Sequence, residues 1–125
     1  MVQASSLANA AGWVPVDKHA LRTSFPNVYA VGDVTAITLA NGRPLPKAGV
    51  FAHGEALAVA RTIAAEPRGG PAGAFDGAGY CWVEMGGGEA AFATGNFYAE
   101  PNPEIQFRQP GRLWHLGKLF FEHYW

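Results

Sequence analysis

Apolar positions along the chain fall into three kinds of pattern. Val28-Tyr29-Ala30-Val31 is a short continuous apolar run after the Phe25-Pro26-Asn27 turn, and it ends at Gly32-Asp33. A run without alternation predicts a strand buried on both faces, as in a parallel sheet. Residues 34–46 read as a loop punctuated by Asn41-Gly42, Pro44 and Pro46. A helix is predicted from Ala48 to Ala65, with apolar positions at Val50, Phe51, Leu57, Val59, Ala60 and Ile63, and stopped by Pro67 and Gly69-Gly70. Its many small residues suit close packing against a sheet or a ligand.

The second half reads differently. Residues 67–74 look like a linker. Three strands are predicted over Gly79–Met85, Ala90–Tyr98 and Glu104–Arg108, the first two joined by a Gly86-Gly87-Gly88 hairpin turn. A final helix is predicted over Arg112–Trp125, entered at Pro110-Gly111. Leu113, Leu116, Phe120 and Tyr124 share one of its faces, and Trp114, Phe121 and Trp125 another. Upstream, Trp13-Val14-Pro15-Val16-Asp17 suits a strand end, since Pro15 cannot donate to a ladder. The predicted class is α+β. The end of an α/β domain (1–66, a short strand and a long helix) precedes an antiparallel sheet and closing helix (67–125).

Composition narrows the function classes. Of 125 residues, 49% are hydrophobic and 15% charged, which is too apolar for a disordered tail. Some apolar surface is expected to meet a further domain, a partner or a membrane. A net charge of -1 with scattered basic residues gives no case for nucleic acid. The single cysteine, Cys81, excludes an internal disulfide framework and any multi-cysteine zinc site. The four histidines have no metal-ligand spacing, so no metal is expected, and Glu84 and Glu89 read as solvated. Met1–Ser6 lacks the features of a signal peptide, and no run of about 18 apolar residues occurs. A cytoplasmic, reducing location is the default.

Thr23 and Ala30-Val31-Gly32-Asp33 form the pattern T-x6-A-x-G-D. A glycine lets the backbone turn and approach a ligand closely, and a strand-end aspartate can accept hydrogen bonds from sugar hydroxyls. Alone, an Asp at such a turn is an ordinary turn residue. With Phe25–Tyr29 and the small-residue helix added, the segment resembles the second FAD-binding motif of the pyridine-nucleotide disulfide oxidoreductase superfamily. The segments Gly12–Asp17, Leu45-Pro46-Lys47-Ala48-Gly49 and Trp114–Lys118 are similar to sulfide:quinone oxidoreductases and their relatives, flavocytochrome sulfide dehydrogenase flavin subunits and type II NADH dehydrogenases.

The resemblance covers nearly the whole chain but only the C-terminal third of such an enzyme. It implies that Gly32 and Asp33 hold the ribityl part of FAD, and that the helix start at Ala48-Gly49 aims its N–H groups at the flavin. Lys47 would stabilise the reduced ring, and Lys118 would lie near the flavin and a quinone pocket. It also implies that Cys81 does sulfur chemistry beside the flavin with a second cysteine, which this sequence lacks. The alternatives are a buried apolar strand cysteine for Cys81 and solvated or salt-bridged lysines for Lys47 and Lys118.

No G-x-G-x-x-G turn between a strand and a helix occurs. The expectation is therefore a C-terminal piece of an FAD-dependent oxidoreductase. Met1 would be an added or internal start, FAD would belong to the full-length protein, and this chain alone would be inactive. The implied electron path runs from a sulfide-like or nicotinamide donor through flavin to a quinone-type acceptor. The implied partners are the preceding FAD- and NAD-binding domains. A homodimer through apolar surface and peripheral contact with the inner face of a membrane are further expectations, with packing preferred to membrane contact for the last helix. The competing reading is a non-catalytic interaction or dimerisation domain that does not bind flavin.

Overall fold

In the computed structural model the described residues are 5–124, so Met1–Ala4 at the start and the predicted aromatic Trp125 lie outside them. Two short strands, β1 (Val14–Pro15) and β2 (Thr35–Ala36), pair in parallel, with Val14 beside Thr35. Helix α1 (Gly49–Ala65) follows. Strands β3 (Ala78–Gly86), β4 (Glu89–Asn96) and β5 (Glu104–Gly111) form an antiparallel sheet in chain order, and α2 (Arg112–Tyr124) starts directly where β5 ends. The α+β class is as the sequence predicted.

The Val28–Val31 strand does not form. Tyr29 makes a single antiparallel bridge with Arg22, and Val31 is 36% exposed. An apolar run becomes a central strand only with neighbours on both sides, and no described strand lies there to pair with it. Gly32–Val34 instead makes one turn of 3-10 helix, and the chain joins β1 at Thr35–Ala36, inside the segment read as loop.

Not all of the apolar positions of α1 face inward. Phe51, Glu55, Ala58 and Thr62 are buried, while Leu57 and Ile63 face outward, 43% and 53% exposed. The buried residues recur at helical spacing, and the inward face mixes Phe51 and Ala58 with the polar Glu55 and Thr62. Gly73, in the predicted linker, donates its N–H to Thr62 Oγ1 at 2.9 Å. A Cβ on Gly73 would meet the Ala58 carbonyl oxygen at 2.2 Å, so only glycine fits there. Leu21, Ile37, Leu39, Leu45, Phe51, Ala58 and Phe75 form one core, with Phe97 and Tyr98 packed against it.

The hairpin is as predicted: Gly87 and Gly88 turn with φ of +63° and +76°, the left-handed values that a two-residue type I′ connection needs. The sheet packs α2 on one face. Trp114 stacks on Phe92 with centroids 4.9 Å apart and planes 9° apart, and Phe121 lies 4.9 Å from Trp82. The face of α2 carrying Leu113, Leu116, Phe120 and Tyr124 points outward, each residue at least 61% exposed. On the opposite sheet face, Phe51 of α1 sits over Gly79, where a Cβ would come within 2.2 Å of its ring. Gly79 thus lets α1 and the sheet meet.

Candidate functional site

The Gly32–Asp33 turn is held on three sides. Gly32 has φ +79°, a left-handed conformation that favours glycine. Its N–H donates to Glu55 Oε2 at 2.5 Å. Its carbonyl accepts the Thr35 Oγ1 hydroxyl at 2.9 Å and also the Thr35 N–H. Lys47 Nζ donates to the Thr35 carbonyl and stands 5.0 Å from the centre of the Trp13 ring. The turn's own polar groups are thereby used internally. Asp33 is exposed, and its carboxylate meets no hydrogen-bond partner among the described residues.

Glu55 was not among the residues the sequence singled out. It is 1% exposed, on the inner face of α1. Burial pushes its carboxyl above the ordinary value; the Gly32 N–H and Lys47 oppose this, and Asp33 adds to it. The sequence signal was a carboxylate in a helix rich in small and apolar residues, four residues after Phe51.

The start of α1 lies beside this turn. Its N-cap, Ala48, makes no side-chain cap, and helix geometry leaves the Gly49 and Val50 N–H groups without an intrahelical acceptor. Gly32, Asp33, Lys47, Ala48 and Glu55 line one small recess. So four of the five predicted cofactor-binding residues converge there. The fifth, Gly49, opens onto the next cleft.

Two clefts, of about 220 Å³ and 210 Å³, adjoin the α1 start and share Ala48, Val50, Tyr80 and Cys81 in their walls. Lys47 lines the first, and Gly49 and Lys118 line the second. Cys81 is an exposed free thiol, not a buried strand cysteine, and its Sγ approaches the Trp82 carbonyl at 3.3 Å. Both clefts are mainly apolar with a few polar groups, the usual character of small-molecule sites. The indole Nε1 of Trp82 is shielded from water and has no acceptor among the described residues.

Lys118 is engaged rather than free. Its Nζ donates to Glu122, and it lies 3.3 Å from Glu84 Oε1. The Glu122 contact, then Glu84, raises its pKa against the opposing effect of desolvation. Glu84 is exposed, as expected of a solvated residue, and also ties β3 to α2 through Lys118 and through His115 Nδ1 at 3.2 Å. Desolvation works to raise the Glu84 carboxyl, but these two partners outweigh it and hold the carboxyl low. His19 Nδ1 lies 2.9 Å from the Phe75 carbonyl oxygen. Among the described residues no three His, Cys, Asp or Glu side chains gather as a metal site, and no helix is long and apolar enough to cross a membrane.

No family model matches the chain. Among solved structures, it is similar to the sulfide:quinone oxidoreductase from the hyperthermophilic bacterium Aquifex aeolicus, with a TM-score of 0.76 and 27% identity. The match covers 94% of this chain and 28% of that one, in line with the expectation of a piece of such a protein. Over nearly its whole length, then, the chain shares the fold and about a quarter of the sequence of an oxidoreductase of the kind its Gly32-Asp33 motif resembles.

Proposed function

We propose that this chain supplies part of an FAD site in an oxidoreductase that moves electrons from a sulfide-like or nicotinamide donor to a quinone-type acceptor. One observation carries the reading. The Gly32 turn is fixed by Glu55, Thr35 and Lys47, and it leaves the Asp33 carboxylate unpartnered beside an uncapped helix start. A fixed acceptor beside free N–H donors suits a ligand carrying both hydroxyl and carbonyl groups. FAD is such a ligand, and the residues present fit it: Asp33 would take ribityl hydroxyls, and the Gly49 and Val50 N–H groups would take a ring carbonyl. When bound, the flavin supplies the two-electron chemistry that these side chains lack.

The chain's other groups have distinct roles in this reading. Cys81, exposed at the junction of the two clefts, would meet a sulfur donor there. Lys118 puts a cation on the wall of the second cleft, and Tyr80, Trp82 and Phe121 give that cleft flat apolar walls suited to a quinone ring. Titration of FAD into the purified chain, followed by flavin fluorescence, tests the reading. Weak binding that Asp33→Ala abolishes supports a partial site. Tight binding by the chain alone contradicts the claim that the rest of the site lies elsewhere.

The outward row Leu113, Leu116, Phe120 and Tyr124 favours a second reading, a non-catalytic interaction or dimerisation domain. Sedimentation of the chain with and without Leu116→Glu separates it: a dimer lost in the variant, with no FAD response in either, supports this reading.

A further inference from the structure

We propose that Glu55 is a positioning residue for the Gly32–Asp33 turn, holding the Gly32 amide from inside α1 and so fixing the direction in which Asp33 meets its ligand. The inference rests on the reading of this turn as part of an FAD site and adds a residue to it. Glu55 occupies the buried stripe of α1 between Phe51 and Ala58, where an apolar side chain would pack without desolvating a charge. Among the described residues the carboxylate there has one hydrogen-bond partner, the Gly32 N–H. That amide lies at the one residue of the turn with φ +79°, where no side chain restrains the peptide plane. Thr35 fixes the carbonyl side of Gly32 and Glu55 fixes the amide side. Without Glu55 only the carbonyl side of the turn, through Thr35 and Lys47, stays held, and the Gly32 amide and the direction of Asp33, the next residue, are less firmly fixed.

The charged and titratable groups around Glu55 come from three elements. Lys47, just before α1, favours its charged form, and Asp33, on the turn, opposes it. Tyr98, following β4, is also coupled to it and is itself held neutral, chiefly by burial. Glu55 accepts the Gly32 N–H in either protonation state, but the bond to the carboxylate is the stronger. The Gly32 amide therefore reports the titration of Glu55.

The test uses amide NMR of the 125-residue chain from pH 4 to 8, in wild type, Glu55→Gln and Glu55→Ala. The expected result is a Gly32 amide proton that titrates in wild type. In Glu55→Gln it stops titrating but stays protected from exchange, and in Glu55→Ala it loses that protection while the Asp33 amide shifts. A Gly32 amide that keeps titrating in Glu55→Gln overturns the proposal, as does one whose shift and exchange do not respond to Glu55→Ala. Should Glu55→Ala not fold, wild type against Glu55→Gln decides alone. Addition of FAD separates this proposal from the flavin reading. A chain silent to FAD with the Gly32 response intact breaks the flavin reading and leaves Glu55's hold on the turn. FAD-induced shifts with no Gly32 response break the proposal made here.

Discussion

Glu55 Oε2 accepts the backbone N–H of Gly32 across 2.5 Å, joining the second turn of α1 to the turn that carries Asp33. The contact crosses 23 residues of sequence and places a buried carboxylate behind an exposed one.

The first prediction is a pH dependence set by Glu55. Its folded pKa is raised by burial, so the folded state holds this proton more tightly than the unfolded chain does. The resulting stability is fully present below the ordinary carboxyl value of 4.5 and is lost as pH rises through the raised folded value. Glu55→Gln is therefore expected to be more stable than wild type at pH 7, with the difference narrowing toward pH 4.5. Urea unfolding midpoints across that range check this, and a difference that widens as pH falls would refute it.

Glu84 gives the opposite slope. Its carboxyl is held low by Lys118 and His115, so its contribution is present above the ordinary value and is lost as pH falls through the folded one. Glu84→Gln is expected to lower stability at pH 8 and to flatten the acid limb, with the difference from wild type vanishing at low pH. An unaltered acid limb would show that the ion pairs between β3 and α2 add nothing.

Replacing Gly32 by alanine tests the turn itself. The added Cβ would lie 3.5 Å from the Ala52 Cβ, an ordinary contact, so the cost comes from the backbone at φ +79°. A loss of about 1–2 kcal/mol is expected in denaturant unfolding. A larger loss would mean that the surroundings resist the methyl group.

The two faces of α2 should respond unequally. Trp114, half-buried and stacked on Phe92, is expected to cost about 2–3 kcal/mol on change to alanine, below the range for a fully buried ring. Leu113→Ala, at a position 77% exposed, should stay within about 0.5 kcal/mol. Equal effects would mean that the outward face is covered in solution.

These contrasts show which features local sequence carried. The three strands, the Gly87-Gly88 turn and both helices were legible, because each rests on periodicity or turn chemistry within a few residues. The Val28–Val31 strand was misread because apolar character marks a buried strand only if partners exist, and pairing is a nonlocal fact. In α1, Leu57 and Ile63 were named only as apolar positions, and tertiary packing chose the side bearing Glu55 and Thr62. The meeting of Gly32, Asp33, Lys47 and Ala48 followed from the motif and its resemblance. Glu55 did not, because its value lies in reaching a backbone amide that the sequence cannot place.

In the proposed function, the Asp33 carboxylate and the α1 start form one ligand surface for a flavin. Amide NMR of the chain with FAD added to millimolar concentration tests it most directly. The account predicts shifts concentrated at Gly32, Asp33, Gly49 and Val50, absent in Asp33→Ala. No shift at these four amides, or the same shifts in Asp33→Ala, would contradict it.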